Sequence, residues 1–190
     1  GLETISKLCE PFQSQLKSIQ IIHLAGTNGK GSTGSMIASV LSHSGYKTGL
    51  FTSPHFLSFT ERIQLDGQPI SEQAVTNFVN QHKTYLEDIE ASFFEISLFL
   101  AISYFLNNGI ECLVLETGLG GRLDATNFIE QPSLTVLTNI GLDHQHILGN
   151  TLAKIAEEKA GIMKTGVTCV LGEFHDETYR VFKKTATELN

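Results

Sequence analysis

The run Gly26-Thr27-Asn28-Gly29-Lys30-Gly31-Ser32 combines an open backbone with a single cation. Glycines let backbone N–H groups approach an oxyanion, a helix starting here would point the positive end of its dipole at it, and Lys30 adds a full charge. Together these features suit the β- and γ-phosphates of a nucleotide. The spacing departs from the common G-x-x-x-x-G-K-[ST] loop, because Leu24 stands at the first glycine position and Gly31 follows the lysine. That departure disfavours a generic GTPase or motor ATPase. The plainer alternative, a glycine turn that only joins strand to helix, leaves the lysine unexplained.

Three other residues carry chemistry under one reading and none under another. Glu116 closes the apolar run IECLVLE, and a carboxylate at the end of an interior strand faces the edge where open parallel sheets bind ligands. Magnesium takes oxygen donors and keeps several waters, so one such carboxylate beside a phosphate loop is a sensible partner, whereas a solvated strand end is the alternative. By residue type alone, His144 is a hydrogen-bonded loop histidine. Lys159 reads as a surface helix residue, since a protonated lysine would repel a divalent cation. His55, Asp143 and His146 lie near these positions in sequence or pattern. Phe51, Phe56 and Phe59 can stack on a flat heterocycle or simply pack their loop. Arg122, Asp124 and Asn127 can hold substrate or order a metal shell; Asp124 and Asn127 can equally cap turns through Asx hydrogen bonds.

These residues need a scaffold, and the hydrophobic pattern supplies one. Residues 19–25, 48–52, 110–116, 134–138 and 167–171 are short apolar, β-rich runs. Between them, 32–44, 71–88, 92–109, 151–160 and 176–189 carry helical spacing with capping signals, Ser92 and Glu95 forming a capping box. Residues 53–70, with Pro54, Gly67 and Pro69, form a long connection of the kind that usually has a function. The alternation predicts an α/β fold: a mostly parallel P-loop sheet with helices on both faces.

Composition sets the outer limits. A chain of 190 residues and 20.8 kDa fits one domain, and 41% hydrophobic with 17% charged residues at a mean hydropathy of +0.03 fits a soluble globular protein. A formal charge of −7 argues against binding nucleic acid through a basic surface. The apolar stretch at 93–106 is interrupted by Glu95, Ser97 and Ser103 and is too short to span a membrane. Cys9, Cys112 and Cys169 show no pairing pattern, which predicts a reducing, cytoplasmic setting. The chain opens at Gly1 with no basic or apolar leader, and the missing initiator Met predicts that it was cut or processed.

Several segments, in order, resemble one family. GTNGKGST resembles the variant phosphate loop of folylpolyglutamate and dihydrofolate synthases, a branch of the Mur ligase superfamily. The same resemblance extends to Thr52-Ser53-Pro54-His55 with Glu61-Arg62-Ile63, to ETGLGGRLDATN at 116–127, to NIGLDH at 139–144 and to EKAGI at 158–162, and it covers nearly the whole chain. It implies a Mur-ligase-type sheet that binds ATP and two magnesium ions. Residues Gly26 to Ser32 and Asn127 would meet the nucleotide; Ser53 and Glu116 would hold the first magnesium and His144 the second. Lys30, His144 and Lys159 would serve catalysis, with Lys159 carbamylated so that the cation becomes an anionic oxygen donor. The loop at 53–70 would contribute to a pteridine site.

The reaction so implied activates a carboxylate of dihydropteroate, or of a folate's glutamate tail, as an acyl phosphate that the amine of L-glutamate attacks. The partners are small molecules and the protein is expected to be a monomer. The family's chains are longer, with a C-terminal domain that helps bind adenine and glutamate. Residues 1–190 are therefore expected to be the ATP-binding domain alone, keeping phosphate and magnesium contacts without turnover. A cell-wall Mur ligase usually has Thr after the loop lysine, so Gly31 and the SPH…ERI segment favour the folate branch. A nucleotide-sensing module that has lost catalysis would not need Lys30, Glu116, His144 and Lys159 together.

Overall fold

A computed structural model describes residues 2–189. The helices are α1 (Glu3–Cys9), α2 (Gln13–Leu16), α3 (Lys30–His43), α4 (Glu72–Asp88), α5 (Phe93–Asn107), α6 (Gln145–Leu148), α7 (Leu152–Ala160) and α8 (Asp176–Leu189). The strands are β1 (Gln20–Ala25), β2 (Thr48–Phe51), β3 (Ile63–Leu65), β4 (Gln68–Pro69), β5 (Cys112–Glu116), β6 (Leu134–Leu137) and β7 (Cys169–Leu171). They form one sheet in the order β4-β3-β2-β5-β1-β6-β7; β2, β5, β1, β6 and β7 run parallel and the β3–β4 hairpin antiparallel.

The period-two alternation of strand side chains sorts the core into faces. Leu24, Leu50, Val114 and Val136 point to the side covered by α3 through Ala38. On the opposite side Ile21, Leu113 and Leu115 meet α1 and α5 through Ile5, Leu98 and Phe105, while Ala25 and Leu137 meet α7 and α8 through Ala156 and Phe182. Helix α5 is apolar on nearly every side because it is wedged between the sheet and α1, with α4 packed along it.

Two regions differ from the sequence-based expectation. The connection at 53–70 folds into a 3-10 turn, Phe59–Arg62, followed by the β3–β4 hairpin that extends the sheet. Its turn is Asp66-Gly67, both at positive φ (48° and 75°), the dipeptide that best matches a two-residue hairpin. Helix α1, absent from the pattern reading, buries Ile5, Leu8 and Cys9 against α5. Among the described residues, no helix is long and apolar enough to cross a membrane.

What this topology does for function is bring loops together. In the order β2-β5-β1-β6 the four strands are parallel neighbours, with Leu24 opposite Glu116, Ala25 opposite Leu137 and Phe51 opposite Leu115. The residues that follow each strand therefore emerge side by side: Ser53 after β2, Glu116 at the end of β5, Gly26 after β1, and Thr138 with Asn139 after β6. Ligands bind at this carboxyl edge in open α/β sheets.

Candidate active site

The loop between β1 and α3 enters the helix through Gly29, whose φ of 80° is left-handed and costs a residue with a Cβ about 1 kcal/mol. The segment after β6 braces the loop. Thr138 Oγ1 donates to the Asn28 carbonyl at 2.7 Å, the Thr27 N–H donates to the Asn139 carbonyl at 2.7 Å, and the Asn28 N–H donates to Asn139 Oδ1 at 3.2 Å. Thr27 Oγ1 exchanges hydrogen bonds with Gly141, donating to its carbonyl and accepting from its N–H.

Two lysines converge on one carbonyl of this loop. Lys30 Nζ donates to the Gly26 oxygen at 3.0 Å and to that of Thr27 at 3.3 Å, and Lys159 Nζ donates to the same Gly26 oxygen at 2.9 Å. Lys30 also lies 4.0 Å from Glu116 Oε1. Lys159 is 2% exposed, and burial, followed by the repulsion of Lys30, pushes its ammonium down to about 8. Asp143 and Asp124 pull in the other direction. Lys159 is thus a buried helix lysine, not a surface one.

Glu116 is buried, and desolvation raises its carboxyl above the ordinary range. The N–H of Ser53, donating to Oε2 at 3.2 Å, and the charges of Lys30 and Arg62 oppose that rise. An open cleft of about 640 Å³ runs over this group, lined by Thr27 to Ser32, by Thr52 to Pro54 and by Phe56, Glu61 and Glu116. Among the described residues, no three His, Cys, Asp or Glu side chains form a group suited to a metal ion. A cation on Glu116 would have to complete its shell with hydroxyl, water and phosphate oxygens, which is how magnesium binds.

A second cleft of about 900 Å³ shares Ser53 and Pro54 with the first and continues along Arg62, Phe94, the 118–125 loop, His144 and Glu158. His144 stands at its rim, half-exposed, with a left-handed φ of 45° and Asp143 Oδ1 3.5 Å from its Nε2. The first cleft does not include it.

Other expected residues divide between the two readings. Phe51 is fully buried against Phe94 and belongs to the core, so it cannot stack on a ligand; Phe59 packs between His55 and Phe93; only Phe56 stands free, 93% exposed. Asp124 caps the Ala125–Phe128 turn, accepting from the Thr126 N–H and hydroxyl, and also takes the Leu119 N–H at 2.7 Å. Asn127 lies off the first cleft: its Nδ2 donates to the Arg122 and Gly161 carbonyls at 3.0 Å each, tying the loop to the end of α7. Arg122 pairs with Glu158 at 2.8 Å.

Comparison with known proteins places this arrangement. Residues 24–189 match the model of the Mur ligase middle domain. The chain belongs to the Mur ligase family. It is 43% identical, over 98% of its length and 45% of the relative's, to a dihydrofolate synthase/folylpolyglutamate synthase of Bacillus subtilis. Its fold superposes on a crystal structure of folylpolyglutamate synthase from Thermotoga maritima with a TM-score of 0.90 at 35% identity, covering 100% of this chain and 44% of that one. An Escherichia coli FolC structure in complex with DHPP and ADP matches with a TM-score of 0.87 at 35% identity, covering 99% and 45%. The chain spans just under half the length of these relatives.

Arg62 belongs to the Glu61-Arg62-Ile63 segment, and its residue type alone announces no role. The Mur-type fold buries it in the second cleft, its Nε donating to His55 Nδ1 at 2.8 Å and its guanidinium 5.6 Å from the Phe93 ring. Glu61 beside it accepts from the backbone N–H groups of Phe56, Leu57 and Ser58, folding the loop over the first cleft. The Ser58–Glu61 capping-box spacing was the available signal. Asn139 was quoted as part of a motif, but nothing in its type announced that it would brace Asn28.

Proposed function

We propose that the protein is an ATP-dependent amide ligase that adds L-glutamate to dihydropteroate or to the glutamate tail of a folate through an acyl phosphate, with residues 1–190 as its ATP-binding domain. The observation that carries this reading is a chain of contacts around the first loop: Lys30 and Lys159 both donate to the Gly26 carbonyl, Lys30 lies 4.0 Å from Glu116, and Glu116 accepts from the Ser53 N–H. The similarity to folylpolyglutamate and dihydrofolate synthases supports the same substrates.

In this reading the nucleotide's phosphates lie over the backbone of Gly26 to Ser32, where the N-terminus of α3 and Lys30 meet their charge. Glu116 and Ser53 would hold the first magnesium and His144 the second; the oxygen donors around Glu116 fit such an ion, which when bound would supply charge neutralisation on the transferring phosphoryl group. The work left to the chain is positioning and electrostatics: Lys30 sits where negative charge grows, and the acid substrate in the second cleft meets the phosphate across Ser53 and Pro54.

Lys159 suits carbamylation. An amine pushed down to about 8 is neutral in roughly one molecule in ten at pH 7, and only the neutral amine adds CO2, forming an N–C bond and releasing a proton. The product anion would sit beside Lys30 instead of repelling it. Intact-mass measurement of the native protein in bicarbonate is expected to show the added CO2, absent in Lys159→Met.

The test of the function is incorporation of labelled L-glutamate by the whole protein with ATP and magnesium, offered dihydropteroate and tetrahydrofolate separately. Incorporation with either acid, lost in Lys30→Ala, supports the ligase reading; ATP binding with no incorporation on either acid would refute it. The protein is expected to act as a cytoplasmic monomer on small molecules, without nucleic acid or membrane.

A further inference from the structure

Three buried side chains lie behind the second cleft in a continuous line. His23, on β1 and fully buried, places Nε2 2.8 Å from Thr126 Oγ1. Thr126 Oγ1 donates to Asp124 Oδ1 at 2.6 Å. The other oxygen of Asp124 takes the Leu119 N–H at 2.7 Å, and Leu119 and Asp124 both line the second cleft. We infer that His23 is a positioning residue, which through Thr126 fixes the Asp124 carboxylate and with it the wall of the second cleft.

Hydrogen-bond bookkeeping sets the direction of the line. Burial raises the Asp124 carboxyl, but an N–H donates to each of its oxygens, from Thr126 and from Leu119, and opposes that rise; with Asp124 as the acceptor, the Thr126 hydroxyl gives it its one proton, and Oγ1 accepts from the imidazole. His23 therefore carries its proton on Nε2, leaving Nδ1 a bare lone pair. Consistent with this, Nδ1 is buried with no hydrogen-bond partner. Burial also pushes the His23 imidazole down to about 3, so the ring stays neutral and its single N–H points one way. With its proton fixed toward Asp124, the Thr126 hydroxyl cannot rotate, and the carboxylate keeps a single orientation between Thr126 and Leu119.

His23 also lies three positions before Gly26 on the strand that delivers the phosphate loop. The line thus ties the loop that would hold the nucleotide to the loop that would hold the acid substrate. Only the activity consequence rests on the ligase reading; the hydrogen-bond consequence does not.

The experiment compares His23→Leu, Thr126→Val and Thr126→Ser with the unmodified protein, using two readouts. Hydrogen exchange of the Leu119 amide is expected to speed up about tenfold in the Leu and Val variants and to stay unchanged in the Ser variant, which keeps the hydroxyl. In glutamate ligation, the same two variants are expected to raise KM for the pteroate acid about tenfold while KM for ATP stays within about twofold, and the double variant is expected to match the single ones. Should a variant fail to fold, nitrogen NMR of the His23 ring in the unmodified protein decides alone: protonated Nε2 supports the assignment and protonated Nδ1 overturns it. Equal exchange in Thr126→Ser and Thr126→Val would also overturn it. Protected Leu119 exchange that collapses in Thr126→Val, in a protein that ligates no folate acid, would sink the ligase reading while the role of His23 stood.

Discussion

Both loops that make the candidate site are rich in glycine, yet they use it for opposite ends. In residues 26–31, Gly29 takes a left-handed φ, a Cβ there would meet nothing within 4 Å, and the backbone lies open along the first cleft. In residues 117–127, a Cβ on Gly121 would lie 2.8 Å from the Glu158 carbonyl and 2.9 Å from that of Lys159, so α7 packs directly onto the loop backbone. Here polar side chains bond within the protein, Asp124 to Leu119 and Thr126 and the Asn127 Nδ2 to Arg122 and Gly161, while Asn127 Oδ1 is buried without a partner. The first loop leaves its backbone bare at Gly29 although Gly26 packs against Thr138; the second packs its backbone against α7 at Gly121. Lys159 bridges them, its backbone against Gly121 and its ammonium on Gly26.

Substitutions that fill each loop should separate the two roles. Gly121→Ala forces α7 away from the loop and is expected to destabilise the protein by about 3 kcal/mol, read by denaturant unfolding, the largest stability effect of the set. Lys30→Ala should cost about 1–2 kcal/mol of stability through its lost hydrogen bonds to the Gly26 and Thr27 carbonyls, and weaken nucleotide binding about a hundredfold by calorimetry, since among the described residues lining the open cleft it is the one lysine or arginine.

Lys159→Met should act in the opposite sense. The folded-state ammonium sits at about 8 against 10.5 for the free group, so between these pH values the unfolded chain binds more protons and stability rises with pH. Below pH 8 the penalty is complete, on the order of 3 kcal/mol, partly offset by about 1 kcal/mol from the hydrogen bond to Gly26. In CO2-free buffer at pH 7, Lys159→Met is therefore expected to stabilise the fold by about 2 kcal/mol and to abolish the rise between pH 8 and 10.5, while abolishing ligation. The smallest stability effect belongs to Gly31→Ala: its Cβ would sit 3.6 Å from Glu116 Oε2, an ordinary contact, and alanine favours the helix by about 0.5–1 kcal/mol. Its melting temperature should hold or rise as nucleotide affinity drops.

The parallel sheet and the first loop were legible in the sequence because both rest on local signals, apolar β-branched runs ending in glycine and a lysine set among glycines. Helix α1 and the burial of Lys159 were not, because each depends on partners far away in the chain: Ile5 and Leu8 on α5, and Lys159 on Gly26. Glu116 needed only its strand end. Asp124 and Asn127 were open between ligand and turn from their residue types, and their hydrogen bonds follow the turn reading. Phe51 shows the limit most simply, since a loop-flanking aromatic and a core aromatic have the same letter, and only its contact with Phe94 decides between them. The β3–β4 hairpin was readable in Asp66-Gly67, a signal outweighed by the length of the connection around it.

The claim beneath all of this is that a metal-bearing nucleotide lies between the first loop and Glu116. Titrating ADP into the protein and into Glu116→Gln, each with and without magnesium, tests it most directly. The account predicts that removing magnesium weakens binding to the unmodified protein by about tenfold or more and changes binding to Glu116→Gln little. Equal magnesium dependence in the two proteins, or no binding of ADP to either, would contradict it.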